Sequence, residues 1–110
     1  MFVAPIDQFR LSQTAALFEG GKVGVAASCF ITEYPPGRGP DLHSHPYAEV
    51  FVVQEGTAEF TAGEKQQIVE GGHIVVVGAE TPHGFKSRSE TTLRVVSIHP
   101  SPKVIQTNLT

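Results

Sequence analysis

Two histidines one residue apart, His43 and His45, are followed four positions later by a carboxylate, Glu49, and much further on by His83. In an extended chain the side chains at i and i+2 share a face, so His43 and His45 project together. That spacing lets both imidazoles reach one ion at about 2.0–2.1 Å. Pro46 interrupts a strand ladder just after the pair and predicts a bend or bulge there. Glu49 lies beyond the bend with the parity of the pair, and its carboxylate can turn toward the same point. His83, following Glu80-Thr81-Pro82, closes the set from a distant strand. A lone histidine is more often a surface or satisfied core residue, the role expected of His73 and His99, and an HxH pair by itself is a weak signal. The glutamate, the approach Gly37-Arg38-Gly39-Pro40 and a strand ending in Gly56 make metal ligation the stronger reading.

Three neutral imidazoles and one carboxylate form a borderline donor set. It suits one divalent transition metal ion per chain: Fe, Mn, Ni, Co, Cu or Zn. On an octahedral ion these ligands leave a charge of about +1 and two adjacent positions, open to a chelating enolate or hydroxy acid or to one such oxygen plus dioxygen. Tetrahedral zinc would be saturated by the same four groups and would read as structural. Coordination number therefore separates catalysis from scaffolding.

The elements that must present these residues are short. Strands are expected at 22–34, 49–54, 58–62, 66–69, 73–77, 83–86 and 92–98, rich in Val, Ile, Phe and Thr. Turn signals separate them at Glu19-Gly20-Gly21, Pro35 to Pro40, Glu55-Gly56, Ala62-Gly63-Glu64 and Glu70-Gly71-Gly72. Many short strands at this spacing read as an all-β sandwich or barrel. Only Ile6–Phe18 could hold a helix, and its loose apolar spacing predicts an arm or a short helix. One domain is expected over 1–110, with an N-terminal arm over 1–20, a barrel over 21–100 and a tail over 101–110. The segments Val50-Phe51-Val52-Val53 and Ile74-Val75-Val76-Val77 are apolar on both faces, where a solvated strand would alternate. Each face wants cover: one would line the barrel interior and the other meet a second sheet or, the favoured reading, a second subunit, the alternative being that both faces pack within one chain.

Composition excludes several classes. At 110 residues the chain is one ordinary domain that can bury a core, and its single cysteine, Cys29, cannot form an internal disulfide. A net charge of −3 gives no pull toward nucleic acid or anionic membrane. No apolar run approaches the ~20 residues that span a bilayer, and the first residues show no export signal, so a cytoplasmic protein is expected.

The run Gly37, His43, His45, Glu49 and Gly56, with these intervals, resembles the complete first motif of the cupins. Gly72 through His83 is similar to their second motif. It departs at Gly78, where the family has Pro, at Glu80, where it has Gly, and at Ser87, where it has Asn. Glu80 matters most, because a backbone angle that Gly tolerates there costs a glutamate about 1 kcal/mol or more. The resemblance covers about Lys22 to Ile98. It implies a cupin β-barrel, a jelly roll of two antiparallel sheets, with His43, His45, Glu49 and His83 in its mouth. It also implies a homodimer, in agreement with the doubly apolar strands. It does not fix a reaction, since cupins include dioxygenases, isomerases, epimerases, decarboxylases, binding modules and storage proteins. Retaining Glu49 separates the chain from thiol-dioxygenase-like members, which use three histidines alone.

By strand parity Phe51 shares the face of Glu49 and Phe85 that of His83; with Phe60 they are candidates to line a small-molecule pocket. Polar help is scarce: Tyr47 sits between ligands and Arg38 in the approach loop, and these two are the catalytic candidates. Gln54, Ser28, Cys29 and Tyr34 lie on neighbouring strands, with Cys29 read as buried and inert. The leading expectation is a metal-dependent enzyme for a small, mostly apolar, oxygen-bearing substrate, by dioxygenase-like cleavage first and isomerisation or decarboxylation second. Its rival is a non-catalytic binding or sensor domain pinned by a structural metal. A metal-free epimerase-like site using Asp41 with His43 fits poorly with a full ligand set.

Overall fold

The computed structural model describes every residue from Met1 to Thr110. A 3-10 turn at Ile6–Phe9 leads into strand β1 (Ala15–Glu19), and a second 3-10 turn (Gly20–Val23) precedes β2 (Ser28–Tyr34). Then follow β3 (His43–Ser44), β4 (Glu49–Glu55), β5 (Thr57–Ala62), β6 (Lys65–Glu70) and β7 (His73–Val77). The chain ends with β8 (His83–Ser87), β9 (Leu93–His99) and β10 (Thr107–Asn108). They form two five-stranded antiparallel sheets, ordered β1-β2-β9-β4-β7 and β10-β3-β8-β5-β6. This is a jelly roll. No helix is long and apolar enough to cross a membrane.

Alternation builds the core. Along β4, Glu49, Phe51 and Val53 are buried, and along β9, Leu93, Val95, Ser97 and His99 are. With Ala58, Phe60, Val69, Val77 and Phe85 the apolar members pack between the sheets, Phe60 lying 5.1 Å from Phe51 and 4.9 Å from Phe85, centroid to centroid. Offset and edge-on contacts of this kind are the favoured aromatic arrangements.

The N-terminal expectation needs correction. Ile6–Phe18 is neither a loose arm nor one short helix; it contains β1, an edge strand paired with β2 from Ala15↔Thr32 to Glu19↔Ser28. Correspondingly, the long strand expected from Lys22 begins only at Ser28, because Gly20–Val23 turns the chain between the two. The tail is also part of the fold: β10 pairs with β3, placing Asn108 opposite His43.

The outward face of the first sheet is apolar along two rows. One runs through Phe18, Cys29, Ile98, Val50 and Val76, the other through Ala16, Ile31, Val96, Val52 and Ile74. The N-terminal segment covers one end, with Phe9 edge-on to Phe18 at 5.4 Å. At the other end Ile74 and Val76 are 61% and 63% exposed.

Candidate metal centre

Each ligand arrives by its own local device. The approach loop is tied to β8: Gly37 N–H donates to Ser87 O (2.9 Å), Ser87 N–H to Arg38 O (2.8 Å), and Lys86 Nζ to Gly39 O (2.6 Å). The loop passes so close that a Cβ at Gly39 would meet Phe85 O at 2.1 Å, and one at Gly84 would meet Pro40 O at 2.7 Å. This close approach brings His43 into register opposite His83, ring centroids 4.4 Å apart. Ser87, where Asn is usual, serves as an anchor through its backbone.

After His45, Pro46 lies between β3 in one sheet and β4 in the other, so Glu49 faces the histidines across the roll. The turn before His83 is fixed by Glu80, whose N–H donates to His45 O at 2.7 Å. Glu80 has φ of 61°, making it the sole non-glycine residue in left-handed backbone. The departure from Gly is thus tolerated at a steric cost of about 1 kcal/mol.

His43, His45, Glu49 and His83 are all buried, and one ligand atom from each lies within 4.8 Å of the other three. The histidines share one hydrogen-bond pattern. Nδ1–H of His43 donates to Asp41 O (2.6 Å), that of His45 to Ile105 O (2.8 Å) and that of His83 to Thr81 O (2.8 Å). A neutral imidazole has one N–H, so these bonds leave Nε2 with a lone pair on each ring. The three Nε2 atoms converge on Glu49, with Oε1 at 2.9 Å from His83 Nε2 and 3.1 Å from His45 Nε2. The His45 atom has no aligned hydrogen-bond partner despite full burial. Lone pairs facing a carboxylate oxygen at such distances repel unless a cation or proton lies among them. The donor set therefore fits a divalent ion, held by three Nε2 atoms and Oε1.

Electrostatics agree. Burial alone would raise the Glu49 carboxyl, but the surrounding His45, His83 and His99 rings, which can carry positive charge, outweigh it and hold the group ionised, far below its ordinary range. Burial pushes His43 down, against the Asp41 carbonyl that favours its proton. For His45 burial pulls the same way, but the nearby Glu49 carboxylate and the Ile105 carbonyl prevail and raise its pKa.

His99 adds to the sequence reading. It is the satisfied core residue expected, but its partners belong to the site: its Nε2 lies 3.0 Å from Glu49 Oε2, and its Nδ1 lies 2.7 Å from the Tyr47 hydroxyl. The available signal was parity, since Leu93, Val95, Ser97 and His99 alternate inward along β9. His73, by contrast, is exposed and bonds Glu70 O, as expected of a surface residue.

Beside the ligands lies a cavity of about 100 Å³, walled by Phe30, Thr32, Tyr34, Phe51, Phe85 and Val95, among others. Phe60 is not on this wall; it stands behind Phe51 and Phe85 as core packing. Arg38 is exposed on the approach loop and reaches the site only as a charge felt by Tyr34, whose hydroxyl burial pushes up. Tyr47 is half-buried, stacked on His45 at 5.2 Å and bonded to His99 rather than directed at the cavity. Cys29 is half-buried on the outer sheet face with its thiol pushed up by burial, away from the site.

The cupin domain model matches residues 30–99, and the chain belongs to this family. No curated protein matches it by sequence. A Bacillus subtilis oxalate decarboxylase with Mn(II) centres superposes with a TM-score of 0.80 at 18% identity, over 89% of this chain and 29% of that one. A conserved protein of Klebsiella pneumoniae with a double-stranded β-helix domain gives 0.77 at 18% identity, over 96% and 94%. An oxalate oxidase gives 0.67 at 18% identity, over 74% and 45%. The chain thus spans under a third of the length of the oxalate decarboxylase. At this identity the likeness is one of fold.

Proposed function

We propose that the protein is a metal-dependent enzyme acting on a small oxygen-bearing organic molecule, with dioxygenase-like oxidation as the first reaction and decarboxylation or isomerisation as the second. The observation that carries this reading is the convergence of three bare Nε2 atoms and one carboxylate oxygen beside an apolar cavity. The similarity to an oxalate oxidase and to oxalate decarboxylases supports it at the level of fold.

When bound, a divalent ion supplies a Lewis acid that polarises substrate oxygens. His43, His45, His83 and Glu49 hold it; Phe51 and Phe85 exclude water and shape the walls. Tyr34, on the cavity wall, offers a hydroxyl that can orient a substrate oxygen. The cavity of about 100 Å³ suits a ligand with few heavy atoms, since a water takes roughly 30 Å³ of liquid. No Lys or Arg lines it. A divalent ion with one carboxylate leaves about one positive charge, so a dianion would bury uncompensated charge. A neutral or monoanionic chelator therefore suits this site better than a dicarboxylate.

The test is to load the protein with Fe(II) or Mn(II) and screen diketones, catechols and keto acids for turnover, with oxalate alongside. Turnover that survives the double change His43→Ala/His45→Ala would remove the metal from the mechanism. A second reading, a binding module with a structural ion, draws on the commitment of Tyr47 to His99 and of His99 to Glu49, which leaves few groups free for acid–base work. An exchange-inert, fully coordinated ion without turnover would favour it.

The same reading extends to a partner: a second copy of this chain covering the two apolar rows on the outer face of the first sheet. Its polar border, Arg94 bridging Glu33 and Glu55 at 2.8 Å each, marks where that face ends.

A further inference from the structure

Among the four buried histidines around Glu49, one is wired differently. His43, His45 and His83 each give the Nδ1 proton to a backbone carbonyl and turn a bare Nε2 inward. His99 does the reverse. Its Nδ1 meets not a carbonyl but the Tyr47 hydroxyl, which can donate, so the one N–H of the neutral ring sits on Nε2, facing Glu49 Oε2 at 3.0 Å. Its Nδ1 then accepts from the Tyr47 hydroxyl at 2.7 Å, and the Tyr47 oxygen accepts the Ile105 N–H at 3.2 Å. The carbonyl of the same residue, Ile105, takes the His45 Nδ1–H. One residue of the C-terminal tail therefore fixes His45 directly, through its carbonyl, and the carboxylate through its N–H and two side chains.

We propose that His99 is a positioning residue and not a fifth ligand: it clamps Glu49 Oε2, so that only Oε1 is presented to the ion, and Tyr47 with the Ile105 peptide holds the clamp. This rests on the metal reading given above. Each link has a complementary donor and acceptor, which a chain of chance contacts would not need. The geometry assigns opposite duties to the two oxygens of one carboxylate, Oε1 among the Nε2 atoms of His45 and His83 and Oε2 on His99. A clamped carboxylate could not swing to offer both oxygens at once to an ion that the three Nε2 atoms would hold.

The experiment compares the wild-type protein with Tyr47→Phe, His99→Ala and His99→Gln, each titrated with Mn(II) and Co(II), with melting of the metal-free forms measured in parallel. Partners behind a ligand are worth about 10–100-fold in metal affinity. Tyr47→Phe and His99→Ala are expected to weaken binding about 10-fold and to change the Mn(II) resonance and the Co(II) visible spectrum. His99→Gln is expected to recover much of the affinity, because a glutamine amide can donate to Glu49 and accept from Tyr47 at once. A merely structural role would lower melting of all variants while leaving affinity and spectra as in the wild type, and would overturn the inference. So would X-ray absorption that counts four imidazoles on the wild-type ion. A wild-type protein that takes up neither ion would overturn the metal reading itself.

Discussion

The three inward Nε2 atoms set what loss of one histidine should do. His43→Ala or His83→Ala removes a ligand whose backbone partner is a loop carbonyl, so the jelly roll should stay folded. Metal affinity should fall by more than the ~10–100-fold typical of groups behind a ligand; equal metal content in elemental analysis would exclude the residue from the coordination sphere. Protons report on the same site. The His45–Glu49 attraction is fully present below 6.5, the ordinary value for His45, and is lost as pH rises through its raised pKa. Metal binding must expel that proton, since only the deprotonated ring ligates. Calorimetric titration with Zn(II) in two buffers of different ionisation enthalpy should show proton release, and His45→Gln should release fewer. The cluster of His43, His45, Glu49 and His83 was legible in the sequence because one chain segment carries three of its members at strand spacing. His99 was not, because its meaning depends on register with strands far away in sequence. Phe60 was misplaced for a related reason: alternation tells which face a residue occupies, not how deep along the roll it lies.

At the scale of elements, the turn before His83 is the place where local preference and the fold disagree. Glu80 holds left-handed backbone to deliver its N–H to His45 O. Glu80→Gly keeps that bond and relieves the angle, offset in part by the greater freedom of glycine in the unfolded chain. A gain of up to about 1 kcal/mol in thermal or denaturant unfolding is expected, with metal affinity unchanged; a loss of stability would show that the Glu80 side chain contributes more than its backbone costs. Most strands after Tyr34 could be read from β-branched and aromatic runs between Gly-rich turns. β1 could not. Ala16 and Phe18 face the outer rows while Ala15 borders the cavity, so no polar face alternates with an apolar one, and the period that reveals a strand is absent.

For the whole molecule, the outer rows are the feature a single chain leaves unsettled. Exposed contiguous apolar surface of this kind is a candidate for contact with another protein surface, which is the partner proposed above. The two doubly apolar segments pointed to it, and the register shows Val50 and Val52 beside Val76 and Ile74 on the same face. The chain is expected to sediment as a dimer, and Ile74→Lys with Val76→Lys to sediment as a monomer that still binds metal. A monomeric wild type at tens of micromolar would remove the second copy from that face.

The order of the strands also bears on when the centre can exist. His43 meets His83 across β3 and β8, and the peptide that aligns His45 lies at Ile105, near the last residues of the chain. Pairings between such remote segments form slowly, because the entropy of closing long loops must be overcome first. Cations in the refolding buffer should therefore leave the folding rate nearly unchanged and slow unfolding instead, an asymmetry that stopped-flow fluorescence in both directions would reveal. The ion would then be a late guest, chosen by a finished cavity and not by the nascent chain.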